Sequence, residues 1–405
     1  MNKTRVVITG LGVVSSIGIG WQEFWRNLLS GKSGISPVTA FDTSKHFTHN
    51  GGQIKDFIFE KYFPEDISEK YSRATQLAMV STKLALEDAN LLVNHYLNIK
   101  MGLCIGTTLG SIQNVEIMDE LIIVKKQEEI NSEIIWQIPT HSTATIISKQ
   151  FYLNGPNIFF STACSAGNYA VGYGFDLIKL GKADVMIVGG SDPFSRVAFT
   201  GFNQLSAVAP EKCQPFDKNR KGMMVAEGSG ILVLETLESA LKRKAKIYAE
   251  ILGYGLSCDA GHMTLPSVDG VENCMLKAIN NSGIAKEDVD YISAHGTGTT
   301  ANDKTECFAI KKVFGDGYKN IPVSSIKSML GHTMGAASAL EAVTCALVIS
   351  HDEIPPTINF ETPDPECDID CVPNKPRKQV VNIALNNSYA FGGNNACLVL
   401  KKYNE

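Results

Sequence analysis

The stretch Ser161-Thr162-Ala163-Cys164-Ser165-Ala166-Gly167 decides how this chain is read. Before it, Asn157-Ile158-Phe159-Phe160 is β-branched and aromatic and follows the turn residues Asn154-Gly155-Pro156, which predicts a buried strand. After it, apolar Ala170, Val171, Tyr173, Gly174, Leu177 and Ile178 recur at helical spacing and stop at Gly181, which predicts a helix over 168–180. Cys164 therefore falls on a sharp strand-to-helix turn among small residues. A helix N-terminus offers partial positive charge and free N–H groups. Both favour the thiolate, the nucleophilic form of cysteine. The alternative is a buried structural thiol, the usual fate of a free cysteine. The rest of the chain has to separate the two.

Working outward, the same alternation of strand and helix appears twice. Residues 5–9 predict a strand ending in the turn Gly10-Leu11-Gly12, without the third glycine and the later acidic residue of a dinucleotide site. Helices are expected over 21–30 and, as a long amphipathic element, over 67–90, with strands over 101–106 and 184–188, the latter closed by Gly189-Gly190. Residues 107–135 read as mixed helix and loop, with Lys125-Lys126-Gln127-Glu128-Glu129 a solvated face. A strand over 231–234 and a helix over 240–246 close the first run. From Ile247 the pattern restarts with a strand over 248–255 and its Gly-x-Gly turn. A helix over 270–282, strands over 290–294 and 323–325, a small-residue helix over 335–350 and strands over 381–385 and 396–400 follow. The expected architecture is α/β, with helices covering both faces of the sheet and two similar halves, 1–246 and 247–405.

Bulk properties narrow the function. The 405 residues are 44% hydrophobic and 20% charged, with net charge −5, so there is core material for two or three units of about 150 residues or two interlocked halves. No basic run marks a nucleic-acid partner. The N-terminus passes directly into a predicted strand, and no stretch approaches 18 uncharged apolar residues, so the expectation is a cytoplasmic protein with no membrane segment. Ten cysteines without framework spacing read as reduced thiols. Cys367 and Cys371 lack a second pair or a histidine cluster, so no metal is expected there.

Three loops in the second half follow predicted strands and carry glycine beside polar groups: His295-Gly296-Thr297-Gly298-Thr299, Lys327-Ser328-Met329-Leu330-Gly331-His332 and Asn386-Asn387-Ser388-Tyr389-Ala390-Phe391-Gly392-Gly393-Asn394-Asn395. Loops at strand ends are where α/β folds keep their sites, and glycine there admits substrate to the backbone. Together with Ala163-Cys164-Ser165, and in this order and spacing, the chain resembles the β-ketoacyl-acyl-carrier-protein synthases. The synthase II type and the ketosynthase subunits of type II polyketide systems are the most similar. The likeness extends through Pro215-Phe216-Asp217, the Glu227 loop and Pro363-Asp364-Pro365-Glu366-Cys367-Asp368.

That resemblance implies a thiolase-like, five-layered αβαβα fold of two similar halves and a β-ketoacyl synthase activity without cofactor. It implies Cys164 as the acylated nucleophile, His295 and His332 as paired histidines, and Lys327 and Glu306 as their charged supports. The backbone N–H groups of Cys164 and Phe391 are expected to form an oxyanion hole, with Phe391 also a gate. Thr297, Thr299, Leu109, Gly392 and Gly393 are expected around the substrate. The implied partners are malonyl- and acyl-loaded carrier protein and, for a dimer, a second copy or a homologous chain-length-factor subunit. Lys70 and Arg73, three apart on the helix expected over 67–90, would share a face for the acidic carrier.

The departures from the family pattern are Tyr389 for a usual Phe, Ala390 for a usual Gly before the gate, and a polar stretch, Trp136-Gln137-Ile138-Pro139-Thr140-His141-Ser142-Thr143-Ala144-Thr145. If that stretch lines the acyl pocket, the acyl chain is oxygenated or unsaturated, which points to polyketide or polyene work over housekeeping fatty-acid elongation. A thiolase would need a second catalytic cysteine, but Cys397 lies in an apolar run. A non-elongating chain-length-factor-like subunit would lack Cys164.

Overall fold

In the computed structural model, residues 4–66, 68–91 and 99–404 are described. The first strand shows why the glycines matter. β1, Val6–Ser15, is buried along its whole length and runs straight through Gly10-Leu11-Gly12, which is not a turn. The strand bears helix α1, Arg73–Asp88. A Cβ on Gly10 would lie 2.3 Å from the Ala85 carbonyl oxygen, and one on Gly12 would lie 1.8 Å from that of Ser81. Glycine is there so that helix backbone can rest on strand backbone. β4, Val185–Asp192, also runs on through Gly189-Gly190, which press on the carbonyl oxygens of Gly230 and Gly335, and β6, Ala249–Cys258, through Gly253 and Gly255, which press on helix residues. In β6 a Cβ on Gly255 would meet the Cys274 carbonyl oxygen at 2.3 Å.

The remaining strands of the body are β2 Met101–Gly106, β3 Asn157–Phe160, β5 Gly228–Thr236, β7 Tyr291–Ser293, β8 Val323–Ser324, β9 Ile383–Tyr389 and β10 Asn394–Lys401. The helices are α2 Ser142–Gln150, α3 Ala166–Lys179, α4 Val268–Ser282, α5 Thr300–Phe314 and α6 Ala337–His351. The spatial order is β8-β7-β9-β10-β6-β1-β5-β4-β2-β3. Reading outward from the central β6–β1 pair, each half repeats one order: its first strand, then its fifth, fourth, second and third. The pairing senses repeat as well. The three outermost strands of each half run parallel, and the two nearer the centre pair antiparallel. The halves meet where Val6 pairs with Ile251.

Alternate residues of single strands feed different cores, as the period of two requires. Leu232 and Leu234 of β5 join Ala170, Val171, Leu340 and Val343 between the halves, while Ile231 and Val233 pack with Leu77 and Val80 of α1. In β10, Leu398 and Leu400 face the shared core, whereas Cys397 and Val399 pack with Met275 of α4 and Ile310 of α5. The layers are therefore α1/α2, strands, α3/α6, strands and α4/α5, which is the five-layered thiolase-like arrangement. Residues 334–351 form the one described helix with the length and apolarity to cross a bilayer, but it lies 89% buried within this middle layer.

Several expectations need correction. The helix expected over 67–90 begins at Arg73, capped by Ser72, whose side chain accepts from Thr75 N–H; Ser68–Lys70 is a separate turn, and Ile67 lies outside the described residues. β3 is a half-buried edge strand with Asn157 exposed, not a buried one. Helices α2, α5 and Arg196–Gln204 went unpredicted.

Candidate active site

Cys164 occupies a single turn, Ala163–Ser165, between β3 and α3. The turn is tight: Ala163 holds φ +50°, unusual for a residue with a side chain. Small residues around it allow backbone contact with neighbouring elements. A Cβ on Gly106 would lie 2.3 Å from the carbonyl carbon of Ala166, and one on Gly167 would lie 2.7 Å from the amide nitrogen of Ala339 in α6. The start of α3 is thereby pressed against the start of α6, and the loop just before α6 carries His332. Its Nε2 lies 3.1 Å from the Cys164 sulfur. Ser388 Oγ donates to the Cys164 carbonyl at 3.0 Å, so β9 ties the turn down from the second half.

His295 opens the loop after β7, with its ring centroid 5.5 Å from that of His332 and nearly perpendicular to it. The sulfur and one ring nitrogen of each histidine all lie within 4.8 Å of one another. Behind them, Lys327 Nζ lies 3.4 Å from His295 Nδ1 and is ion-paired with Glu341 of α6. An ammonium group only donates, so Nδ1 accepts and the remaining hydrogen of His295 sits on Nε2. Glu306 supports the loop rather than either ring. Its carboxylate accepts from the backbone N–H of His295 at 2.9 Å and of Gly296 at 2.8 Å. Asp303, one turn earlier on α5, accepts from Gly298 N–H at 3.1 Å and Phe216 N–H at 2.8 Å.

The electrostatics differ from the expectation of a ready thiolate. Burial pushes the Cys164 thiol up to about 11, outweighing the pull of Lys327 and of the Cys164 and Phe391 backbone N–H groups. Burial and the Lys327 charge hold both histidines well below the ordinary imidazole range, His295 further assisted by His332. Near neutral pH the centre is thus a neutral thiol facing two neutral imidazoles. Burial likewise lifts Glu306 and Glu341 to about 7.

Cys164, His295 and His332 open into a cavity of about 320 Å³. Thr297, Thr299, Phe391 and Gly393 stand on its wall, and so does the loop His262–Pro266. The Phe391 ring packs on Phe202 with centroids 5.8 Å apart. Gly393 has φ +78° and a Cβ there would lie 2.8 Å from the Cβ of Asp259, so this position admits glycine only. Gly392 is off the wall, donating its N–H to Met263 O at 2.8 Å. Leu109 is also off the wall, packed beside Phe194, Phe199 and Met334. No residue of 136–145 reaches this cavity; the stretch lies in and between the helix Ser132–Gln137 and α2, and Gln137 Oε1 accepts from Ser72 N–H at 2.6 Å. Gln137, Ser142 and Thr143 are buried away from the cavity while His141 and Thr145 are exposed, so within this chain the stretch does not line the acyl pocket.

Lys70 and Arg73 do not share a helix face. Arg73 is committed to buried Glu227, with bonds of 3.0 Å to each carboxylate oxygen, and lies over the Phe57 ring. Glu341 was not anticipated. A signal existed: it is the only Asp, Glu, Lys or Arg in α6, and a lone acid within a buried apolar helix needs a buried partner.

Comparison with known proteins agrees with this geometry. Residues 3–240 match the family described as "Beta-ketoacyl synthase, N-terminal domain" and residues 248–361 its C-terminal domain. The chain is 40% identical to the 3-oxoacyl-[acyl-carrier-protein] synthase 2 of Synechocystis sp., covering 100% of this chain and 99% of that one. Its fold superposes on the ishigamide ketosynthase/chain length factor with TM-score 0.96 at 42% identity, covering 99% and 100% of the two chains. It also superposes on a type II polyketide synthase acyl-carrier protein–ketosynthase complex bound to the hexaketide, with TM-score 0.89 at 34% identity and the same coverage. The chain belongs to the β-ketoacyl synthase family.

Proposed function

We propose that this chain catalyses decarboxylative Claisen condensation between an acyl group held on Cys164 and malonyl-acyl carrier protein, giving 3-oxoacyl-acyl carrier protein. The observation that carries the reading is the Cys164–His332 contact of 3.1 Å beside a second neutral imidazole whose Nε2–H is fixed by Lys327. In the first step the Cys164 sulfur attacks the thioester of an acyl carrier. The oxyanion is received by the N–H groups of Cys164 and Phe391, and the carrier thiol departs with the cysteine's proton. In the second step malonyl carrier loses carbon dioxide. The electron pair of the broken C–C bond becomes an enolate whose oxygen accepts from His295 and His332. Neutral donors suit this step, because an imidazolium would protonate the carbanion. The enolate then forms the new C–C bond at the acyl carbonyl and expels the Cys164 thiolate, which takes a proton from solvent.

The substrates arrive on an acyl carrier protein, and the working unit pairs the chain with a second copy or a homologous subunit; the exposed edge of β3 is available for that pairing. We place the protein in the cytoplasm. The condensation serves fatty-acid and type II polyketide assembly alike, and both kinds of relative are represented among the similar proteins. Intact-mass measurement after incubation with acyl and then malonyl carriers tests the reading. The expected result is an acyl adduct on Cys164 that disappears as 3-oxoacyl carrier forms; an adduct on another residue, or none, overturns it.

A further inference from the structure

Asp192 ends β4, is completely buried and does not line the cavity, though its charge adds to the rise of the Cys164 thiol. Its carboxylate accepts from four donors: Thr107 Oγ1 at 2.6 Å, Thr108 N–H at 2.8 Å, Leu109 N–H at 2.7 Å and Gly335 N–H at 2.6 Å. No cation pairs with it among the described residues, so these short bonds alone offset the cost of burying the group. Such an arrangement is expensive, and core stability alone would be served as well by an apolar side chain.

The donors come from both halves of the molecule. Thr107, Thr108 and Leu109 follow β2 in the first half. Thr107 N–H also donates at 3.0 Å to the carbonyl of Phe160, the last residue of the strand that leads to Cys164. Gly335 lies in the second half, three residues beyond His332. A Cβ on Gly335 would fall 2.6 Å from the Thr107 carbonyl carbon and 2.8 Å from Asp192 Oδ2, so the His332 loop rests directly on the carboxylate and on the Thr107 backbone. One side chain therefore joins the approach to the nucleophile with the exit from the histidine loop.

We infer that Asp192 is a positioning residue for the condensation, holding the Cys164 turn and the His332 loop at the separation their contact requires. This rests on the ketosynthase reading, which the wild-type control tests separately. Asp192→Asn keeps the shape but turns an N–H₂ group toward N–H donors. Displacement of reacting groups by about 1 Å costs about 100-fold in rate. Steady-state condensation assays on Asp192→Asn should therefore show kcat reduced by about 100-fold. KM for malonyl carrier should stay within about twofold, because Asp192 is not on the cavity wall, and melting should stay close to wild type. Should the Asn variant fail to fold, Thr107→Val, which removes the hydroxyl donor at near-constant shape, should lower kcat by about tenfold with KM unchanged. A folded variant with kcat within about threefold of an active wild type, or with its loss in KM alone, overturns the inference. A wild type that does not condense overturns the ketosynthase reading instead.

Discussion

Lys327 Nζ lies 3.4 Å from His295 Nδ1 and is ion-paired with Glu341, so one buried ammonium fixes the tautomer of the histidine and neutralises the acid behind it. Lys327→Met should free His295 to place its hydrogen on either nitrogen. Loss of one preorganised donor costs on the order of 100- to 1,000-fold. Release of labelled carbon dioxide from malonyl carrier should fall by about that factor. The double variant Lys327→Met/Glu341→Gln removes the uncompensated buried acid. It should recover thermal stability without recovering decarboxylation, and recovery of both would show that Lys327 acts only as a counter-ion.

The two half-reactions separate at Cys164. Cys164→Ala removes the acyl acceptor but leaves both imidazoles, so condensation should cease while decarboxylation of malonyl carrier continues. His332→Ala should do the reverse, with decarboxylation reduced about 100- to 1,000-fold and some acylation of Cys164 retained. Mass spectrometry of Cys164 together with labelled carbon dioxide follows both. A folded Cys164→Ala protein that decarboxylates no better than buffer would contradict the division of labour.

The buried thiol has a pH signature. With Cys164 raised to about 11, its reactive thiolate fraction should grow about tenfold per pH unit between 7 and 10 and level off only above that range. Alkylation by iodoacetamide, read by mass at Cys164 in a Cys258→Ser background that removes the one exposed cysteine, measures this. A plateau by pH 8 would mean that the helix terminus and Lys327 overcome burial after all.

Phe391 is 38% exposed and leans on Phe202, while Gly392 at φ +83° and Gly393 at φ +78° supply the flexible side of its turn. Phe391→Ala should weaken discrimination between acyl and malonyl carriers in the acylation of Cys164, with little loss of stability because the ring is half in solvent. Unchanged preference in competition assays would count against gating.

Lys70 and Arg73 now predict different outcomes. Lys70→Glu, on an exposed turn, should raise KM for carrier-bound substrate in a salt-dependent way and spare small thioesters. Arg73→Glu leaves Glu227, 2% exposed, without its cation, and should cost about 3–5 kcal/mol of stability. Thermal denaturation checks the second; equal effects of both variants on carrier kinetics, with no change in melting, would restore the shared-surface view.

What could be read from the sequence was decided by how local the signal is. The Cys164 turn, the glycine-flanked histidines and most long strands carry their patterns within a dozen residues, and all appear where expected. The Gly-x-Gly segments of β1 and β6 misled because glycine serves turns and close packing alike, and only the helix lying on the strand tells them apart. The start of α1 was misplaced by six residues because the apolar stripe continues through Tyr71 into a differently folded turn. Partnerships across 154 and 143 residues, Arg73 with Glu227 and Asp192 with Gly335, leave no local trace at all.

The repeated strand order divides the site between the two halves. Within each half the same step, from third strand to third helix, carries one reactive residue: Cys164 before α3 and His332 before α6. Nucleophile and imidazole thus come from corresponding connections of the two halves, Cys164 inside the turn Ala163–Ser165 and His332 just before the matching turn Met334–Ala336. Having both halves in one chain lets the two connections carry different side chains, which a symmetric pair of identical halves could not do. Each half then holds only part of a working centre. Residues 1–246 and 247–405 expressed as separate polypeptides should each be inert and should regain turnover only when they reassociate.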